Sequence, residues 1–211
     1  MTLNRVRCAL TLIVCGSPVL AGQPLTQLST QPSTQLSTRV TALVMPEGRY
    51  SRVAIGEMGR EAAHILKKSG VSLHWRLGEP AHAVNGLLVV VKLVGRCDMD
   101  GPPALLMPGP LGWSHQVNGV VIPFSDLACD NIRGAVQSPL AGNQLRGNFL
   151  LGRAMGRVLA HELYHIVADT AEHGEDGVAQ PALSARELTL GQLELRPSEV
   201  EAIQSGLRQA R

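Results

Sequence analysis

The sequence has few aromatic residues, no excess of charge of one sign and no long apolar run. Phe, Trp and Tyr together make up 3% of the 211 residues, so a core has to be built from aliphatic side chains. The net charge of +2 comes from 19 basic and 17 acidic residues, which are interspersed along the chain. Without a basic stripe, nucleic acid is not an expected partner. Hydrophobic residues make up 45% of the chain, which is typical of a folded domain rather than of a disordered one.

The first 21 residues have the pattern of an export signal. Arg5 and Arg7 precede a mostly apolar stretch, residues 8–20, and the small residue Ala21 follows at a possible cleavage point. The apolar stretch is too short to cross a bilayer, so no membrane span is expected in the mature chain. The pattern therefore predicts a secreted or periplasmic protein with a signal peptide at 1–21. The alternative is a cytoplasmic protein with a disordered N-terminus.

A low-complexity tract, residues 22–39, follows the predicted signal. The pentapeptide TQLST occurs in it twice, at 26–30 and at 34–38. A tract of Ser, Thr and Gln buries too little apolar surface to offset the entropy lost on ordering it. We therefore expect a flexible linker there and a folded domain at 40–211.

Four cysteines are present, and cleavage of the signal would remove Cys8 and Cys15. The remaining pair, Cys97 and Cys129, can form a disulfide in an exported domain. In the chain-entropy model such a bridge would stabilise the fold by about 3–4 kcal/mol. The alternative is a pair of buried free thiols.

Hydrophobic periodicity predicts an α+β fold with a mixed sheet of about four strands. A nearly continuous run of Leu and Val indicates that one of these strands is central and buried on both faces. Two loop-like stretches, 98–112 and 126–142, separate the later elements. The strands are predicted at 40–45, 71–77, 87–94 (the central one) and 113–124.

Two helices are predicted in the body of the domain, a first helix at 51–69 and a long one at about 144–169. Shorter helices are predicted near 184–190 and after Pro197. On the long helix, Gly152 and Gly156 lie four residues apart. Each lowers helix propensity by about 1 kcal/mol relative to Ala, and we expect close packing of another element to compensate.

The run His161-Glu162-Leu163-Tyr164-His165 lies on the long predicted helix. Residues four apart share one helix face, so both imidazoles can bind one metal ion. Glu162 lies beside the pair, where it can act as a general base towards water rather than as a ligand. Because the flanking residues are uncharged, the helix is expected to be buried. Buried imidazoles and a carboxylate are costly unless they are paired or bound to metal. The alternative is two hydrogen-bonded core histidines and a surface glutamate.

A catalytic zinc ion usually takes three protein ligands and keeps one position open. His173 is the leading candidate for the third ligand, because it follows the helix and precedes Gly174, where the chain can turn back. Glu187, on a later helix, is a second candidate. The remaining options are the neighbouring carboxylates of Glu172, Glu175 and Asp176.

Residues 158–167 resemble the signature of the zincin metallopeptidases, and the third histidine and element order resemble the metzincin clan. The resemblance covers about residues 40–177, and the ten-residue signature is its specific part. It implies a zincin-like sheet with an active-site helix below an edge strand, and one zinc ion per chain. By the same analogy, the strand that contains His115 would line the cleft and pair with an extended substrate. A lone histidine on a strand is more often simply exposed.

The chain differs from the usual metzincin pattern at three places. His173 comes two residues later than the third histidine usually does, Ala168 stands where glycine is usual, and no Met follows Met155. With Glu187 as a ligand, the arrangement would instead resemble the gluzincins, although their surrounding motif is absent.

The function predicted from the sequence is a secreted zinc-dependent metallopeptidase. Its ligands would be His161, His165 and His173, its base would be Glu162, and its substrate would be a peptide or protein. The alternative function is a non-catalytic zincin-like module that binds a metal or a partner.

Overall fold

The computed structural model describes residues 37–78, 84–105, 108–137 and 144–209. All of them belong to one unit, Gln35–Arg211. The predicted signal peptide and most of the predicted linker lie outside the described residues. The linker's last two residues, Thr38 and Arg39, already belong to the first strand, so the sheet begins two residues before the predicted domain start.

The described strands form one mixed sheet of five strands. They are β1 (Thr38–Pro46), β2 (Val71–Leu77), β3 (Leu87–Val94), β4 (Gly112–Val117) and β5 (Val120–Ala128). The spatial order is β2-β1-β3-β5-β4, and only β4, at one edge, runs antiparallel to its neighbour. The apolar run 87–94 forms the central strand, as predicted. The prediction of an α+β fold with a mixed sheet is confirmed.

The prediction of a single strand at 113–124 is wrong, because the chain reverses at Asn118 and Gly119. These residues have φ angles of 54° and 81° and connect β4 to β5 as a hairpin. Asn-Gly is the pair that a two-residue hairpin turn favours, since both positions are left-handed. The valines on either side of the turn have the β propensity of one continuous strand. This hairpin raises the number of strands from about four to five.

The described residues contain five α-helices: α1 (Arg52–Leu66), α2 (Cys129–Val136), α3 (Gln144–Ala168), α4 (Ala185–Thr189) and α5 (Pro197–Gln209). A 3-10 turn, Lys67–Ser69, extends α1 to Gly70, whose φ of 84° ends it. The stretch 126–142 was predicted to be irregular, which is wrong for its first part, because it contains the end of β5 and α2. No described helix combines the length and apolarity that crossing a membrane requires.

Helix α3 packs directly on α1, and two glycines of α3 set the distance between them. A Cβ atom at Gly152 would lie 2.7 Å from Glu57 Cβ, and one at Gly156 would lie 2.7 Å from Glu61 Cβ. Any side chain at either position would therefore separate the helices. The predicted close approach at these glycines is confirmed.

A disulfide joins Cys97 and Cys129, whose Cα atoms are 5.0 Å apart, and the predicted bridge is therefore present. It connects the segment that follows β3 to the first residue of α2. Both cysteines are fully buried, so the bridge belongs to the core.

Candidate metal centre

The candidate metal centre lies on the second half of α3, where His161 and His165 are one turn apart. Their Nε2 atoms are 3.0 Å from each other. The Nδ1 atom of His161 is 2.7 Å from the carbonyl oxygen of Val178, and that of His165 is 2.8 Å from the carbonyl oxygen of Thr170. A carbonyl oxygen only accepts hydrogen bonds, so each Nδ1 carries the proton and donates it. Each neutral ring therefore presents a bare Nε2 to the other.

Electrostatics keep these two imidazoles neutral. Burial lowers the pKa of His161 to about 4, although the hydrogen bond to Val178 acts in the opposite direction. Burial also lowers the pKa of His165, against the hydrogen bond to Thr170. Two bare ring nitrogens at 3.0 Å repel each other through their lone pairs. A metal cation between them would turn this repulsion into coordination, so the pair fits a metal ion.

The turn that ends α3 supplies the carbonyl group that orients His165. Asp169 adopts a left-handed conformation with φ of 47°, the conformation in which helices commonly end. The Thr170 N–H then donates back to the carbonyl oxygen of His165 over 3.1 Å. The Oδ1 atom of Asp169 accepts a hydrogen bond of 3.0 Å from the Val121 N–H on β5. Glycine is the usual residue in such a turn, and here Asp169 takes its place.

His173, the predicted third ligand, lies beside the helix pair after this turn. Its ring centroid lies 5.3 Å from that of His161 and 4.8 Å from that of His165. The ligating nitrogen atoms of the three residues lie within 4.8 Å of one another, and the three histidines can hold a metal ion. Its imidazole is exposed, whereas that of His165 is buried.

The alternative third ligands lie outside this group of three histidines. Glu187 accepts hydrogen bonds from the N–H and the hydroxyl of Ser184, at 2.9 and 2.6 Å, and so forms the capping box of α4. These bonds lower the pKa of Glu187. Asp176 forms an ion pair with Arg196. Glu172 and Glu175 are exposed in the same loop.

Glu162 is buried beside the helix pair, with 4% of its surface exposed. Its Oε2 accepts a hydrogen bond of 2.7 Å from the hydroxyl of Ser114 on β4. Burial raises the pKa of Glu162 to about 7, and the hydrogen bond from Ser114 acts in the opposite direction. A Cβ atom at Gly112 would lie 3.0 Å from Glu162 Oε1, so this glycine lets β4 approach the carboxylate.

Ser114 is the residue of this site that the sequence analysis missed. Strand alternation places it on the α3 side of β4, next to Glu162. His115, the residue considered there, faces the other side, where its Nε2 lies 2.5 Å from Asp126 Oδ2. The alternation of side chains along β4 shows that Ser114 and His115 face opposite sides. It identifies Ser114 as the site residue only when the face that α3 covers is known.

A cleft of about 550 Å³ is lined by Ser114, Glu162 and the three histidines. Residues of β4 and residues 180–183 also line it. Glu162 and the three histidines are its only titratable lining groups among the described residues. The other lining residues are apolar or neutral, among them Leu111, Trp113, Gln116, Val121, Val158, Gln180, Pro181 and Leu183.

No model of a known protein family matches this sequence, and no curated protein shows significant similarity to it.

Proposed function

We propose that this protein is a zinc-dependent hydrolase of peptide bonds, with His161, His165 and His173 as zinc ligands and Glu162 as general base. The observation that carries the proposal is the presence of a buried carboxylate and three convergent imidazoles in one cleft. Glu162 is held by a hydroxyl group and has no ion pair with any described Lys or Arg. A carboxylate held in this way stays able to accept a proton.

Zinc is proposed because the donor set consists of three neutral imidazoles. Zinc sites of catalytic type commonly use three protein ligands, three histidines among them, and leave a further position open to solvent. When bound, zinc acts as a Lewis acid on a carbonyl group and lowers the pKa of water towards about 7. The hydrogen bonds from the Nδ1 atoms to Val178 and Thr170 fix the imidazole tautomers that ligation needs.

Strand β4 is proposed to bind the substrate backbone. Within the described sheet it pairs on one side only, with β5, so its other edge offers free N–H and C=O groups towards the cleft. An extended peptide can add to such an edge as a further strand. The scissile bond would then lie between Ser114 and the histidines, within range of Glu162.

Glu162 would move the proton in this reaction. Its carboxylate takes a proton from the attacking water as the water oxygen bonds to the carbonyl carbon. As the C–N bond breaks, the same carboxyl group returns the proton to the departing amine. Ser114 keeps the carboxylate turned into the cleft throughout.

Export is proposed as the cellular context. The N-terminal pattern at 1–21 supports it, and so does the disulfide between Cys97 and Cys129, because disulfides persist mainly in oxidising compartments. The similarity of residues 158–167 to the zincin signature and the edge position of β4 above α3 support a zincin-like peptidase in particular.

The test is a comparison of the wild-type domain with Glu162→Gln. We expect about one zinc ion per chain in both proteins. Hydrolysis of an unfolded casein-type substrate should fall by about 100- to 10,000-fold in the variant, the usual contribution of a general base. Glu175→Gln, at an exposed position of the loop that follows His173, is the matched control and should retain wild-type activity.

Each other outcome has a distinct meaning. A folded wild-type protein that binds no metal would exclude the proposed centre. Full activity in Glu162→Gln would show that the base is another group. Stoichiometric zinc without any hydrolysis would favour the non-catalytic metal-binding module instead.

A further inference from the structure

Glu199 is a buried carboxylate that the proposed reaction does not use. It lies in the first turn of α5 and is 4% exposed. One oxygen, Oε2, accepts a hydrogen bond of 2.6 Å from the Arg196 N–H, which caps α5. The other oxygen, Oε1, accepts a hydrogen bond of 2.5 Å from the Ala179 N–H, in the loop between α3 and α4. Glu199 therefore connects the start of α5 to a loop about twenty residues earlier in the chain.

That loop is part of the metal centre at both of its ends. The carbonyl oxygen of Val178, next to Ala179, accepts the hydrogen bond that orients His161. The carbonyl oxygen of Ala179 accepts a bond of 2.9 Å from the Gly174 N–H, and Gly174 directly follows His173. The anchored N–H of Ala179 thus belongs to the same peptide group as the Val178 carbonyl that accepts from His161. The carbonyl of Ala179 is one hydrogen bond from Gly174, the neighbour of His173.

The loop is shaped to enclose this carboxylate. Gly177 has φ of 83°, and a Cβ atom there would lie 3.0 and 3.1 Å from the two oxygens of Glu199. Only glycine combines that backbone conformation with that proximity. Helix α5 packs closely against the end of α3 at Gly206. A Cβ atom at Gly206 would lie 3.0 Å from the Cα of Ala168, so a larger residue would not fit there.

We propose that Glu199 is a positioning residue of the metal centre, which makes α5 part of that centre. The inference rests on the proposed metal site and adds a residue that acts on the ligands through the loop 174–179. Glu199 fixes Ala179, and Ala179 fixes the Val178 carbonyl and the chain at Gly174. Loss of the carboxylate would leave His161 free to rotate and His173 free to move away. Outer groups that orient metal ligands typically change metal affinity by about 10- to 100-fold when they are removed.

The test compares Glu199→Ala with Glu187→Ala by competition of each protein with a zinc chelator. Glu187 is the matched control, because it caps α4 from the same helical position, while the hydrogen bonds of its carboxylate come from Ser184 and from the side chain of Gln180 rather than from the backbone of the loop 174–179. We expect Glu199→Ala to weaken zinc affinity by about 10- to 100-fold. Glu187→Ala should change zinc affinity by less than about twofold, although both variants lose a helix cap. Equal affinity losses in the two variants, or no loss in a folded Glu199→Ala, would overturn the inference.

A second measurement uses only the wild-type protein and so does not depend on the variant folding. If Glu199 strengthens zinc binding, zinc must by reciprocity strengthen the anchor by the same factor. Amide hydrogen exchange at Ala179 and Arg196 should therefore slow by about 10- to 100-fold when zinc is added. Exchange that is unchanged by zinc would contradict the coupling. A wild-type protein that binds no zinc at all would instead contradict the proposed function, so the two failures are distinguishable.

Discussion

The Nε2 atoms of His161 and His165 face each other at 3.0 Å while the Nδ1–H group of each ring donates to a main-chain carbonyl. The two carbonyl groups come from different segments, one from the turn that ends α3 and one from the loop beyond His173. Both histidines are thus held as neutral imidazoles by hydrogen bonds to the backbone. The repulsion between the two ring nitrogens has a direct consequence for stability.

The first prediction concerns metal removal. Because a cation relieves the repulsion between the two nitrogens and binds only the folded chain, zinc should stabilise the protein. At a free zinc concentration 100 times the dissociation constant, the expected gain is about 2.7 kcal/mol in the free energy of unfolding. Urea unfolding with buffered zinc and with a chelator measures it. The gain should disappear in His161→Ala, and an equal stability of the wild type in both buffers would contradict it.

The second prediction concerns Ser114, whose hydroxyl donates to Glu162. Ser114→Ala removes a hydrogen bond to a charged group, which contributes about 1.5–3 kcal/mol. The value of kcat/KM should therefore fall by about 10-fold or more, while the zinc content stays unchanged. Ser125→Ala is the control, since Ser125 lies opposite Ser114 on β5 but donates to the Trp113 carbonyl instead. Unchanged activity in Ser114→Ala would show that Glu162 needs no such support.

The third prediction concerns the contact between α1 and α3. Gly152→Ala places a Cβ atom 2.7 Å from Glu57 Cβ, so the helices have to separate. Overpacking of this kind costs about 1–3 kcal/mol, which exceeds the helix propensity gained. Gly56→Ala, on α1, is the control: the nearest atom there is 3.6 Å away, at the flexible end of Arg60. That variant should be more stable than the wild type by about 0.5–1 kcal/mol. Chemical denaturation of the two variants gives both values, and destabilisation of both would contradict the packing argument.

Much of the candidate site could be predicted from the sequence, because the spacing and the neighbours of its helix residues are local features of the chain. His161 and His165 share a helix face by spacing alone, and the uncharged residues around them predict burial. The Asn118-Gly119 turn is an equally local signal. The valines on either side of it have the β propensity of one continuous strand, and they mask the turn in the sequence. Treating 113–124 as one strand therefore gives the predicted sheet one strand too few.

The residues that support the candidate site could not be predicted from the sequence, because their contacts join segments distant in the chain. Ser114 on β4 contacts the carboxylate of Glu162 on α3. Glu199 on α5 accepts a hydrogen bond from Ala179, in the loop between α3 and α4. The proposed third ligand, His173, shows the same limit. Its spacing from His165 differs from the metzincin pattern, and only the left-handed turn at Asp169 shows how the chain brings His173 back to the pair.

The last prediction concerns Arg157, which lies one turn before His161 on α3 with only 2% of its side chain exposed. Its guanidinium group donates to Glu61 Oε1 over 2.8 Å, and to the carbonyl oxygens of Leu190 and Gly191 over 2.7 and 2.8 Å. It also donates to the Glu187 carbonyl, so it holds the end of α4 against α3. Arg157→Met leaves these carbonyl groups and a largely buried carboxylate without their main donor.

Breaking a buried ion pair in this way costs about 3–5 kcal/mol, because the remaining charge stays buried. Chemical denaturation of Arg157→Met should show a loss of that size. The double variant Arg157→Met/Glu61→Met should recover part of it, since the unpaired charge is then gone while the carbonyl groups still lack a donor. A loss below about 1 kcal/mol in the single variant would mean that Arg153, whose Nε lies 3.8 Å from Glu61, replaces Arg157 as the partner. Helix α4 would then be held in place by its apolar contacts, chiefly those of the buried Leu188.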